Sequence, residues 1–229
     1  MMNIVEYTNK GKRPINQDFG IHRTLPNNSA ICVLADGMGG YSHGELASKL
    51  VAEHIVDFVQ RNFGELKPMD LLRNAIKQSN EALMLEKIEK GIKRMGTVIT
   101  TLLITSDRAY ISWLGDSRIY MFRNNHEVYR TSDHSVLNEV KNKEALTATN
   151  IERFSSMVTR SIMGETDIKD IPVKYVRIKP NDTFILCTDG FYKELGVDLA
   201  KDYSMSNKEI LDKRADAVTD NYSFIKVDI

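Results

Sequence analysis

Three aspartates, Asp36, Asp189 and Asp220, each stand at one end of a short apolar run, and each is followed at once by glycine or asparagine. The runs are 30–35 before Asp36-Gly37, 183–188 before Asp189-Gly190, and 222–227 after Asp220-Asn221. Apolar runs of this length, bounded by turn residues, read as buried strands. Carboxylates at the ends of buried strands are held rigidly, and hard divalent cations such as Mg2+ or Mn2+ take oxygen ligands in near-octahedral geometry. The pattern predicts a metal site.

With 229 residues, 42% of them hydrophobic, the chain is long enough to bury a core, and one domain over 1–229 is expected. Lys+Arg and Asp+Glu both number 31, for a net charge of zero. That balance argues against nucleic acid or an anionic membrane as partner, because both select a basic excess. Cys32 and Cys187 sit inside apolar runs without a C-x-x-C partner, so they read as core thiols rather than zinc ligands. The start, Met1-Met2-Asn3-Ile4-Val5-Glu6, lacks the pattern of a signal peptide. No stretch approaches the roughly 20 apolar residues of a membrane span, and a soluble cytoplasmic protein, a monomer, is expected.

Apolar residues recur at three- and four-residue spacing over 45–62 and again over about 69–90, which predicts two amphipathic helices, the second with Pro68 in its first turn. The period then changes. Runs at 98–105, 108–113, 118–122 and 127–130 are rich in β-branched and aromatic residues and predict an antiparallel meander. A hairpin is expected to join 173–178 to 183–188 through Lys179-Pro180-Asn181-Asp182. The polar stretch 141–156 lacks periodicity and reads as a mobile flap. Strands at both ends and in the middle, with two early helices, predict packed sheets covered by helices.

Read in order, eight motifs carry a resemblance. They are Arg13-Pro14-Ile15-Asn16-Gln17-Asp18, Ala35-Asp36-Gly37-Met38-Gly39-Gly40, Met95-Gly96-Thr97, Trp113-Leu114-Gly115-Asp116-Ser117-Arg118, Asp133-His134-Ser135, Thr159-Arg160-Ser161-Ile162-Met163-Gly164, Cys187-Thr188-Asp189-Gly190 and Asp220-Asn221. Together they resemble the bacterial type 2C metal-dependent serine/threonine protein phosphatases, over almost the whole chain. The resemblance implies an α+β fold, a four-layer α-β-β-α sandwich of two mainly antiparallel sheets flanked by helices, with a metal centre at one end of the sheets. It implies two or three Mn2+ or Mg2+ ions. Asp36 would bridge two of them, Asp189 and Asp220 would ligate the first, and the Gly37 carbonyl the second. Asp116, with Asp189, would hold a third and weaker ion, and Asp18 would hold a metal-bound water.

The implied chemistry needs these residue types. Paired divalent cations lower the pKa of a water between them and offset charge on the phosphoryl group. A water then attacks phosphorus in line, with the serine or threonine oxygen leaving, and no protein nucleophile is required. Arg13 takes the role of phosphate clamp, because a guanidinium presents paired donors to two phosphoryl oxygens. Gly37, Gly39 and Gly40 would let the chain turn sharply beside the ions. Clustered carboxylates without metal repel or take up protons, so a less stable, inactive metal-free form is expected.

Simpler readings attach to other residues. His134, within Asp-His-Ser, reads as structural, and His43 is kept as a candidate supporting group near the site. Trp113, Phe184 and the methionines read as core. Met38 stands where animal relatives carry a histidine, which suits a bacterial member and leaves the general acid unassigned. Gln17 replaces the acid of some members, and Ala217-Val218-Thr219 replaces a glycine-rich approach to Asp220.

The main expectation is a phosphatase acting on phosphorylated proteins and reversing a bacterial Ser/Thr kinase. The alternative is a pseudophosphatase that binds phosphopeptides as a regulator. A cysteine-dependent phosphatase is excluded by spacing: six residues beyond Cys32 and Cys187, where such a loop needs arginine, stand Met38 and Lys193.

Overall fold

The structure, a computed structural model, describes residues 2–38, 43–140, 154, 157–168, 170–204 and 208–229. Gly39 and Gly40, and all of the expected 141–156 flap but residue 154, lie outside the described residues.

Among the described residues, ten strands form two antiparallel five-stranded sheets. The strands are β1 (Asn3–Asn9), β2 (Asp18–Leu25), β3 (Ser29–Gly37), β4 (Thr97–Ile104), β5 (Arg108–Leu114), β6 (Arg118–Arg123), β7 (His126–Arg130), β8 (Val173–Arg177), β9 (Thr183–Cys187) and β10 (Tyr222–Asp228). One sheet runs β1-β10-β9-β6-β7 and the other β2-β3-β4-β5-β8. Between β3 and β4 come the long helices α1 (Gly44–Asn62) and α2 (Pro68–Lys90). Short helices α3 (Val136–Val140), α4 (Asp189–Glu194), α5 (Val197–Lys201) and α6 (Lys208–Asp212) follow. Among the described residues no helix is long and apolar enough to cross a membrane.

The unbroken apolar runs exist because each central strand is buried on both faces. Ile31, Val33 and Ala35 of β3 pack under α1 and α2 with Val51, Ile55, Leu72 and Ile76. Their alternating neighbours Cys32 and Leu34 meet Phe184, Leu186, Ile225 and Val227 of the opposite sheet. On the far face of that sheet, Ile185, Cys187 and Phe224 pack against Phe191, Ala200 and Leu211 of the short helices and against Tyr203 just after α5. The layers are therefore helix, sheet, sheet, helix, as expected. Both cysteines are free and fully buried, in different core layers.

Two expected connections are different in the structure. The meander is interrupted: β4 pairs with β5 and β6 with β7, but β5 pairs onward with β8 and β6 with β9, in the opposite sheet. The chain crosses between sheets at Gly115, whose φ of 122° a side chain resists and whose added Cβ would strike Val98. The 173–178/183–188 hairpin is likewise a crossover between sheets. Its turn forms, with Asp182 N–H donating to the Lys179 carbonyl at 3.2 Å. Arg123 of β6 then grips the fully buried Asp182 through two bonds of 2.8 and 2.7 Å and ties β9 to its own sheet. A period-two pattern states which residues are buried, not which neighbour covers them.

Candidate metal centre

At one end of the paired sheets lies a cavity of about 510 Å3. Asp36, Asp116, Asp189 and Asp220 all line it, with Arg13, Gln17, Gly37, Met38 and Asn221. They arrive from different directions. Asp36 ends β3, Asp116 sits on the β5–β6 crossover, Asp189 opens α4 and Asp220 precedes β10. Strand pairing brings the ends together, since Asp18 at the start of β2 lies opposite Asp36.

Asp36 is fixed by its backbone: Thr97 Oγ1 donates to its carbonyl at 2.8 Å. Gly37 N–H donates to the Gln17 carbonyl at 3.0 Å, and a Cβ at Gly37 would run into the Gly44 backbone. The Met95-Gly96-Thr97 and Thr159–Gly164 motifs also meet, through reciprocal Thr97–Ile162 backbone bonds of 3.0 and 2.8 Å.

Asp18 is only 7% exposed, and burial raises its carboxyl to about 7, with the charges of Asp189 and Asp220 adding to the rise. Thr188 Oγ1 donates to its Oδ2 at 3.0 Å, while Oδ1 is buried without a partner. Asp36 is pushed well above the usual carboxylate range by burial and then by Asp18, Asp189, Asp116 and Asp220. Asp116 rises to about 6, mainly through burial.

The outer acids are held by cations. Arg13 clasps Asp220 through Nε–Oδ1 and Nη2–Oδ2 bonds, both of 3.0 Å. Lys193 Nζ donates to Asp189 Oδ2 at 2.8 Å. Among the described residues, no three Asp, Glu, His or Cys side chains are close enough together to hold one ion as they stand. The donor set nevertheless fits hard divalent cations. It offers carboxylate oxygens from several elements, protonation favoured by burial and then by mutual repulsion, and a buried orphan oxygen on Asp18.

Three residues carry this geometry that the motif reading left without a role. Asn221 is buried and staples the Arg13 loop: its Nδ2 donates to the Lys10 and Ile15 carbonyls at 2.9 and 3.0 Å, and its Oδ1 accepts from Gln17 N–H at 2.9 Å. Glu194 accepts from Thr219 N–H, Thr219 Oγ1 and Asp220 N–H, at 2.8, 2.7 and 3.2 Å, and so holds the approach to Asp220. Lys193 is the third. Asn221 belongs to a motif, but its partners lie more than 200 residues away.

His134 stacks on Trp113, with ring centroids 5.5 Å apart and planes 3° apart, and its Nδ1 accepts from Gly115 N–H at 3.3 Å. Both are packing contacts within the fold. His43 is exposed at the start of α1 and lines a separate cavity with Lys90–Arg94, so it does not support the acid cluster. Trp113 and Phe184 are core, but Met157 is 45% exposed and corrects the reading of all methionines as core.

The profile of the protein phosphatase 2C family matches residues 9–222. Protein phosphatase PhpP of Streptococcus pneumoniae is 27% identical over 206 residues, which cover 88% of this chain and 83% of that protein. Serine/threonine phosphatase stp of Listeria welshimeri is 26% identical over 215 residues, 90% and 84% of the two chains. The crystal structure of serine/threonine phosphatase Stp1 from Staphylococcus aureus superposes with a TM-score of 0.82 at 26% identity, covering 100% of this chain and 95% of that one. With this fold, and with acids from both sheets meeting at one end of it, the chain belongs to the protein phosphatase 2C family.

Proposed function

We infer that the protein is a protein-serine/threonine phosphatase that hydrolyses phosphoserine and phosphothreonine on other proteins with the help of Mn2+ or Mg2+. Membership of the family and likeness to named serine/threonine phosphatases support the activity. The observation that carries it onto these residues is the convergence of Asp36, Asp116, Asp189, Asp220 and Arg13 on one cavity.

Asp36, the Gly37 carbonyl, Asp189 and Asp220 would hold two divalent ions. Such ions, when bound, make water a nucleophile near neutral pH and offset charge on the phosphoryl oxygens. Asp18, paired with Asp36 across the ladder, would accept a hydrogen bond from the attacking water and take its proton. Arg13, about half exposed at the cavity edge, would bind two phosphoryl oxygens with the donors that now clasp Asp220. Asn221 keeps the Arg13 loop in register with β10 while this happens. Cys32 and Cys187 are walled off in the core, where burial pushes both thiols up, so neither serves as nucleophile.

The substrates would be phosphoproteins of a bacterial Ser/Thr kinase, or the kinase itself, met in the cytoplasm by a monomer whose whole chain acts as one catalytic domain. The test is hydrolysis of a phosphothreonine peptide with Mn2+, with Mg2+ and with EDTA, beside Asp189→Asn. Turnover that needs metal and Asp189 is expected. No turnover from folded protein would transfer the weight to a phosphopeptide-binding regulator.

A further inference from the structure

Helix α4 places a cation one turn after a metal-site acid. Asp189 and Lys193 lie four residues apart and so share a helix face, in the favourable order of acid before base. Lys193 Nζ is 2.8 Å from Asp189 Oδ2 and also 4.0 Å from Asp116 Oδ2. It stands between the two acids that the resemblance pairs around a third ion.

The position of this lysine is built by other contacts. Its neighbour Tyr192 donates its hydroxyl to the Asp116 carbonyl at 3.2 Å and so ties α4 to the β5–β6 crossover. Arg118 lies 3.8 Å over the Tyr192 ring and is itself fixed on Asp133 by bonds of 2.8 and 2.7 Å. Asp116 is 7% exposed, so its charge has few other partners.

We propose that Lys193 replaces the third divalent ion at Asp116 and Asp189, so that this chain works with two ions. This rests on the two-ion centre inferred above. An incoming ion has to displace an ammonium whose short tether keeps it at high local concentration. If the ammonium stays, the ion meets like charge within a few ångströms. Lys193 is thus a positioning residue, which holds Asp189 toward the cavity through a permanent cation.

The test is Mn2+ stoichiometry, by equilibrium dialysis of metal-free protein with metal analysis, followed in parallel by manganese electron paramagnetic resonance. Wild type is expected to bind two ions, and so is Lys193→Arg. Lys193→Met should gain a third, weaker ion that is lost again in Lys193→Met/Asp116→Asn. Lys193→Gln serves as a second neutral variant, and near-UV circular dichroism checks each fold. A third ion in wild type, or wild-type stoichiometry in both neutral variants, overturns the proposal. Asp36→Asn separates the two readings. If it leaves stoichiometry unchanged, the two-ion centre itself fails and the lysine proposal with it; if it lowers stoichiometry while Lys193→Met does not raise it, only the lysine proposal fails.

Discussion

Asp18 and Asp36 are directly paired across β2 and β3, two carboxylates facing each other at the end of one ladder. Like charges in that relation destabilise a sheet. Burial first, and then neighbouring carboxylates, raise both acids above the usual carboxylate range, which lessens the charge the pair carries when no metal is present.

The pH dependence of stability follows from that pair. Asp18 rises to about 7, from burial above all, so between its ordinary value near 4 and about 7 the folded state binds more protons than the unfolded one. Stability without metal should therefore fall as pH rises through this window, at up to about 1.4 kcal/mol per unit per group. Melts of EDTA-treated protein at pH 5 and pH 8 measure it, with the lower melting temperature expected at pH 8. A higher one there would contradict the assignment. Excess Mn2+ should remove most of the difference, since ions binding only the folded state add stability by mass action.

Asp18→Asn takes one of the two charges away. The pH slope of the metal-free protein should shrink, and turnover should fall by about 100-fold or more, the usual scale for a lost acid–base group. A variant with the slope intact would show that the titration belongs elsewhere.

Asn221→Ala removes three hydrogen bonds from a residue only 7% exposed. Three part-buried backbone bonds are lost, so a destabilisation of about 1–3 kcal/mol is expected in urea unfolding. KM for a phosphopeptide should also rise, because the Arg13 loop is no longer held to β10. A KM unchanged in the folded variant would separate the staple from substrate binding.

Arg13→Lys retains charge but loses the paired donors that reach both Asp220 oxygens. Its kcat/KM should drop about 10- to 100-fold, or ~1.4–2.8 kcal/mol. Mn2+ stoichiometry should stay as in wild type. Steady-state kinetics and metal analysis on one preparation decide whether the guanidinium serves phosphate or merely Asp220.

His134 is held mostly neutral, because burial lowers it to about 4. The His134 contribution should therefore be lost as pH falls from its ordinary value near 6.5 toward 4, opposite in sign to the Asp18 contribution over the same window and isolated by comparison with His134→Phe. His134→Phe should keep the stack on Trp113, lose about 1 kcal/mol with the Gly115 bond, and retain turnover within a few-fold. A large loss of turnover with the fold retained would make His134 a participant in the chemistry.

The sequence alone determined the local elements and the identity of the acids. The helices observed at Gly44–Asn62 and Pro68–Lys90 match the expected 45–62 and 69–90, and β3, β9 and β10 coincide with the apolar runs that flag Asp36, Asp189 and Asp220. Periodicity and strand-end carboxylates are written within a few residues of each other. Only tertiary structure decided that β5 and β6, and β8 and β9, part into opposite sheets. It also decided that Lys193 and Arg13 hold the outer acids and that Asn221 fastens the Arg13 loop. Strands buried on both faces look alike whichever sheet they join. A lysine beside an acid, or an asparagine before a strand, takes its role from neighbours that folding brings to it.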